Sequence, residues 1–314
     1  MDTLTNQLSD RINNLAASAT LAMAAKAREL RAEGKDIIGL SLGEPDFNTP
    51  DFIKDAAIQA VNDNYNSYTP VDGYVELKDA IITKFKRDNN LTYDRSQIVV
   101  STGAKQSLYN VAQVCLNPGD EVLLPCPYWV SYSDIVKLAE GVPVEVETSL
   151  DTDFKMTPEQ LEAAITPKTK MLWYSSPCNP SGSIYSEAEL RALADVLQKH
   201  PQIVVVSDEI YEHIIYEGKH VSIAEFGFIK ERVITVNGVS KGFAMTGWRI
   251  GYIGAPEWIA KACIKIQGQF TSGASTISQK AAEAAIKQDP KSTEEMCQIF
   301  RKRRDLLLDL LKMI

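Results

Sequence analysis

Apolar positions along this chain follow two rhythms. Solid β-branched blocks occur at Ile203-Val204-Val205-Val206 and Val233-Ile234-Thr235-Val236. Such blocks predict strands covered on both faces, as in a parallel sheet. Shorter apolar runs at Ile98–Ser101, Glu121–Leu124 and Met171–Tyr174 predict further strands. Val142, Val144 and Val146 alternate with proline or acid, which suits a half-exposed edge. Between these runs the period lengthens to that of helices. Thr157-Pro158-Glu159-Gln160 is a capping box with proline at the first helical position, opening a helix through Ile165. Ser186-Glu187-Ala188-Glu189 opens another through Leu190, Leu193 and Leu197. A helical stretch from Gln106 follows Gly103. Strands alternating with helices predict an α/β fold with a mainly parallel sheet.

The two ends differ from the middle. Leu15 to Ala25 is apolar like a leader peptide, but Asp2 and Asp10 stand where a basic segment should be. An amphipathic helix running on into Lys26, Arg28 and Arg31 is the expectation. From about Thr293 the pattern is one long helix, with Met296, Ile299, Phe300, Leu306, Leu307, Leu310, Leu311 and Ile314 on one stripe. The chain stops inside this pattern without a capping residue, so the sequence is expected to be truncated. The basic run Arg301-Lys302-Arg303-Arg304 reads as a solvated helix face.

Composition narrows the class. The chain has 314 residues and a net charge of -8, which argues against nucleic acid as a partner. Five widely spaced cysteines without a CxxC pair suggest a reduced intracellular protein. His200, His213 and His220 form no metal-ligand pattern, and each is expected to be a surface or structural residue. No apolar run approaches the roughly 20 residues that span a bilayer. A cytoplasmic protein without membrane contact is expected.

Four segments carry candidate chemistry. In Gly238-Val239-Ser240-Lys241-Gly242-Phe243-Ala244-Met245-Thr246-Gly247-Trp248-Arg249, a lysine follows a buried strand and an arginine lies eight positions on. Such a lysine can condense with an aldehyde cofactor, and the arginine can grip a phosphate with its planar fork. A surface lysine and a salt-bridged arginine would be the reading of a bare pair, but not of the whole string. In Ser207-Asp208-Glu209-Ile210-Tyr211, an acid ends a buried strand. It either caps a following helix or pairs with a cationic ring nitrogen. Ser175-Ser176-Pro177-Cys178-Asn179-Pro180-Ser181-Gly182 is a turn. Ser101-Thr102-Gly103-Ala104-Lys105-Gln106 leads from strand to helix and offers backbone N–H groups to an anion. It lacks the Walker pattern, so a nucleotide is not indicated.

Taken in chain order from Gly43 to Arg249, these segments resemble the class I pyridoxal-phosphate-dependent aminotransferases. Gly43-Glu44-Pro45-Asp46-Phe47, Ser101 to Gln106 and Pro127-Tyr128-Trp129-Val130-Ser131-Tyr132 look most like the bacterial aspartate aminotransferase subgroup Ib. The resemblance implies fold-type I, with 1–48 as an N-terminal segment and substrate loop. It implies a large cofactor domain over 49–290 and the start of a small domain over 291–314. It implies Lys241 as the cofactor lysine and proton carrier, Asp208 on the ring nitrogen and Tyr211 on the ring's phenolic oxygen. Gly103, Ala104, Lys105, Ser240 and Arg249 would hold the phosphate side, with Trp129 stacked on the ring. Asn179 would contact cofactor and substrate, while Gly43 and Lys105 would contact substrate, Lys105 at a distal carboxylate. Tyr68 would reach the phosphate of a neighbouring subunit, making a homodimer with shared sites.

The implied reaction is transamination of aspartate, or a related dicarboxylic amino acid, with 2-oxoglutarate. A prephenate aminotransferase, another aminotransferase or a β-lyase of the same fold would use the same cofactor residues. From other classes, a non-catalytic truncated form and a cofactor-binding regulator are the alternatives. Three departures from the family stand out. The family's arginine for the substrate α-carboxylate lies beyond the end of this chain. Gly238 stands where some relatives have a phosphate-binding serine. Ala16-Ala17 stand where many have Lys-Pro.

Overall fold

The computed structural model describes residues 7–13, 15–17, 19–40, 43–288 and 291–314. The chain opens with α1 (Asp10–Asn13), α2 (Ala19–Ala32), α3 (Asp51–Asn62) and α4 (Val75–Asn89). Strands and helices then alternate: β1 (Ile98–Ser101), α5 (Ala104–Cys115), β2 (Glu121–Cys126), α6 (Ser131–Leu138), β3 (Val142–Glu147), α7 (Pro158–Ala164), β4 (Thr169–Ser175), α8 (Glu187–Gln198) and β5 (Val204–Asp208). After β6 (Val233–Gly238) and β7 (Gly251–Gly254) come α9 (Glu257–Phe270), α10 (Thr276–Lys287) and α11 (Lys291–Leu311).

The strands form one sheet in the order β1-β7-β6-β5-β4-β2-β3. Strands β2 to β6 pair parallel, while β7 runs antiparallel to both β1 and β6. The mainly parallel sheet is as expected, and β3 is its half-exposed edge. The apolar pattern does not predict β7. That strand has four residues, with glycine at both ends, and so carries almost no apolar run.

Alternate residues of the central strands feed two cores. Leu172, Tyr174 and Val205 join Ile81, Phe85, Leu190, Leu193 and Ala282 of α4, α8 and α10 on one face. Met171, Trp173, Val204 and Val206 join Leu108, Ile135, Ile259 and Cys263 of α5, α6 and α9 on the other. Burial of each such aliphatic side chain contributes about 1.5–3 kcal/mol, so both faces must stay covered.

Both predicted capping boxes form. The side chains of Thr157 and Ser186 accept from the backbone N–H of Gln160 and Glu189. The N-terminal helix begins later than expected, because Leu15–Ala17 have no regular structure and α2 starts at Ala19. Leu-Ala-Ala offers no side chain to cap the first free amides of a helix. The long C-terminal helix is present as α11. Its middle is tied down by Phe300 edge-on to Phe47 at 5.1 Å, and by Arg303 on Asp46 at 2.6 Å. Leu306, Leu307, Leu310 and Leu311 are exposed. The basic run keeps to the surface and pairs with acids, Arg304 with Asp305 and Glu217.

Candidate active site

The ends of β4, β5 and β6 and the start of α5 open onto one cavity of about 460 Å³. Open parallel sheets place ligands there because strand ends and helix N-termini converge on that edge. Its lining includes Gly43, Ala104, Lys105, Trp129, Asn179, Asp208, Tyr211, Ser240, Lys241 and Arg249. Candidates from segments far apart in sequence thus meet in one place.

Lys241 lies just beyond β6. Its amine donates to the carbonyl of Gly43 at 2.6 Å and sits 5.6 Å from the centre of the Tyr211 ring. Burial, reinforced by the positive charge of Arg249, holds its pKa below the usual lysine value. A lysine so placed reaches its neutral, nucleophilic form more readily.

Asp208 ends β5 and is buried. Burial pushes its carboxyl up to about 6, against the lowering effect of a Tyr132 hydroxyl at 2.7 Å and the N–H of Ile210 at 3.2 Å. No α-helix follows β5 directly, so the cap reading of Asp208 reduces to this turn contact. Tyr211 lies on the same turn. Its hydroxyl accepts from Asn179 at 3.4 Å, and burial raises its pKa to about 12.

At the other end of the cavity, β1 turns into α5. Gly103 does not line the cavity but makes its wall possible. It has φ +83°, and a Cβ there would lie 2.3 Å from the Arg249 guanidinium. The amides of Ala104 and Lys105 open α5 and have no intrahelical acceptor. Arg249, itself left-handed at φ 56°, donates to the carbonyl of Thr246 at 2.8 Å. Two free amides and a guanidinium around one hollow fit a phosphate. The Lys105 ammonium sits 4.6 Å from the centre of the half-buried Trp129 ring, and burial lowers its pKa.

Tyr68 is the candidate that stays apart: it is 99% exposed and does not line the cavity. The lining also contains Tyr128, Ser131, Tyr132, Ser175 and Thr246, to which the sequence alone assigns no role. Tyr132 is visible in the sequence three residues after Trp129, but only the packing turns its hydroxyl toward Asp208. Among the histidines, His213 and His220 each lie against a buried glutamate.

A buried carboxylate, a half-buried amine and an anion cradle in one cavity match what pyridoxal phosphate presents: a ring nitrogen, an aldehyde and a phosphate. The chain belongs to the aminotransferase class I and II family, whose model matches residues 35–314. It is a pyridoxal-phosphate-dependent aminotransferase of fold-type I. It is 50% identical to the aspartate/prephenate aminotransferase of Nitrosomonas europaea, covering 98% of this chain and 78% of that one. The aspartate aminotransferase of Bacillus subtilis is also 50% identical, over 95% of this chain and 76% of that protein. The crystal structure of the Rhizobium meliloti aspartate aminotransferase superposes with a TM-score of 0.95 at 46% identity, covering 98% of this chain and 78% of that chain. The Thermus thermophilus aspartate aminotransferase with maleate gives 0.93 at 43%, covering 97% and 80%. No helix among the described residues is long and apolar enough to cross a membrane.

Proposed function

We propose that this chain transaminates aspartate, passing its amino group to 2-oxoglutarate, with Lys241 as the cofactor lysine. The observation that carries this reading is the meeting of Lys241, Asp208, Asn179, Lys105 and Arg249 in one cavity. Bound pyridoxal phosphate supplies an electron-withdrawing ring that stabilises negative charge at the substrate α-carbon.

The protein's own residues do the rest. Arg249, Ser240 and the amides of Ala104 and Lys105 would hold the phosphate, with the Gly103 turn, whose own amide donates to the Ser101 carbonyl at 2.8 Å, shaping the wall beside them. Asp208 accepts from the ring nitrogen and keeps it protonated. Tyr211 and Asn179 contact the phenolic oxygen, and Trp129 covers the ring face. The Lys241 amine, lowered in pKa by burial, takes a proton from the α-carbon and returns it as general acid. Gly43 contacts the substrate by backbone, and Asn179 contacts the α-carboxylate. Lys105 faces the distal carboxylate. The similar Thermus enzyme, solved with the dicarboxylate maleate, supports that role.

Tyr68 projects fully into solvent, which suits a residue that completes the site of a second copy in a homodimer. The five cysteines are all free, which suits a cytoplasmic protein. The relatives from Nitrosomonas europaea and Cereibacter sphaeroides carry prephenate in their names, so prephenate amination is the second reading.

The test is spectroscopic. Purified protein mixed with pyridoxal phosphate should develop a visible band that falls on adding aspartate and returns with 2-oxoglutarate. A band indifferent to aspartate but responsive to another amino donor would replace the substrate. No band would sink the cofactor site in this chain.

A further inference from the structure

The turn that carries Asp208 and Tyr211 has a second face. Residues 208–213 divide between the cavity and the interior: Asp208, Ile210 and Tyr211 line the cavity, while Glu209 and Glu212 do not. Glu209 is 0% and Glu212 7% exposed. Carboxylates at that depth cost several kcal/mol unless every oxygen is matched. Here they are matched from three directions. The Lys84 ammonium, brought in by α4 and 2% exposed, lies directly against Glu212. Asn89, at the end of the same helix, donates to Glu212 at 2.8 Å and accepts from Lys84 at 2.7 Å. Ser207 and Ser222 donate to Glu209 at 2.9 and 2.6 Å, and His220 meets its other oxygen at 2.9 Å.

The cluster also reaches the lysine loop. His213 lies 3.3 Å from Glu212. Its ring packs edge-on to Phe243 at 5.7 Å, and so closely on Gly242 that a Cβ there would lie 2.7 Å from it. Gly242 and Phe243 directly follow Lys241. Asp88, Glu212 and His213, like Glu209, Glu212 and His220, bring ligand-type atoms within 4.8 Å of one another. The Lys84 ammonium already supplies the positive charge at Glu212, so the cluster is an ion-pair network and no metal is needed.

We infer that Lys84 and Glu212, with Asn89 and His213, are positioning residues for the cofactor: their buried pair locks the 208–212 turn and the Lys241 loop in register. This rests on the cofactor reading of Asp208, Tyr211 and Lys241. A displacement of about 1 Å at such groups can cost on the order of 100-fold in rate. An apolar pair in place of the ions would keep the core filled while releasing the directional contacts that fix the turn.

The experiment compares the native chain with the double variant Lys84→Met, Glu212→Leu. Removing both charges avoids the stranded ion that makes a single variant unstable. Pyridoxal phosphate binding is titrated by absorbance, alongside thermal unfolding and steady-state kinetics. The expected result is a folded variant with at least a tenfold higher cofactor dissociation constant and a tenfold lower kcat, and with the KM for aspartate changed less than threefold. If the double variant does not fold, Glu212→Gln takes its place, with at least a threefold change expected in both quantities. A folded variant with cofactor affinity and kcat within twofold of native would overturn the inference, whatever its melting temperature, because the cluster would then serve stability alone. A native chain that binds no cofactor would overturn the underlying reading and this inference with it.

Discussion

The hydroxyl of Tyr132 donates to Oδ2 of Asp208 at 2.7 Å, with both groups buried, so a neutral phenol from α6 steadies the carboxylate at the end of β5. Tyr132 is the strongest hydrogen-bond influence opposing the burial that pushes Asp208 up to about 6. Tyr132→Phe removes that donor and little volume. A hydrogen bond to a charged group is worth about 1.5–3 kcal/mol, so cofactor affinity should fall roughly 10- to 100-fold. The fluorescence or absorbance titration that measures it would also show the pH of half-maximal binding moving up. Unchanged affinity would mean that Asp208 does not depend on Tyr132.

The raised carboxyl of Asp208 also predicts a pH dependence with a definite sign. Its pKa is about 6 in the folded chain against 3.8 for the free group. Across that window the folded state holds more of the proton than the unfolded state. The group's contribution to stability is therefore fully present below the lower value and is lost as pH rises through the upper one. Asp208→Asn removes the titration. Its stability relative to the native chain, from denaturant midpoints, should improve as pH rises through the window. Cofactor binding by the native chain runs the other way, strengthening as Asp208 ionises. A stability difference that is flat with pH would contradict the assignment.

Lys241→Ala should abolish the visible band with pyridoxal phosphate and lower turnover by at least the roughly 10²–10⁴-fold that a positioned acid–base group supplies. The fold should persist, because the Lys241 amine lies at the cavity wall, on the Gly43 carbonyl and the Tyr211 ring, and not in either core. Near-native turnover would remove Lys241 from the chemistry.

Lys105→Met keeps an unbranched side chain over Trp129 and loses the charge. The KM for aspartate should rise roughly 10- to 100-fold, the worth of a charge-assisted contact. An amino donor without a second carboxylate should be affected less than about threefold. Equal losses for both donors would show that Lys105 serves the cofactor alone.

Gly251→Ala tests the anion cradle without touching a charge. A Cβ at that position would lie 2.1 Å from the backbone nitrogen of Ala104, where α5 begins. Backbone cannot yield as a flexible side chain can, so about 1–3 kcal/mol of destabilisation is expected, with weaker phosphate binding. Calorimetry with inorganic phosphate and a denaturant melt would measure both. Native-like values would mean that the β7–α5 approach is looser than its geometry.

The sequence by itself determined the element types wherever apolar residues were numerous or caps were local. The blocks at 203–206 and 233–236 read as strands, because short runs of β-branched residues pack well on a pleated sheet and are disfavoured in a helix. The boxes at Thr157 and Ser186 act within four residues and form as expected. The candidate residues were also legible, because Lys241, Asp208, Asn179 and the Gly103 turn sit in short strings of characteristic residues.

Tertiary structure alone decided the rest, since it depends on residues far apart in the chain. Strand β7 exists because it closes the gap between β1 and β6, not because Gly-Tyr-Ile-Gly prefers extension. Tyr132 faces Asp208 only because α6 packs over the sheet, bringing together groups 76 residues apart. The Lys84–Glu212 pair joins groups 128 residues apart, and no local pattern marks either partner. Burial follows the same rule. A carboxyl at about 6 and a lysine below its usual value arise from how the whole fold excludes water from one cavity, which no short stretch of sequence records.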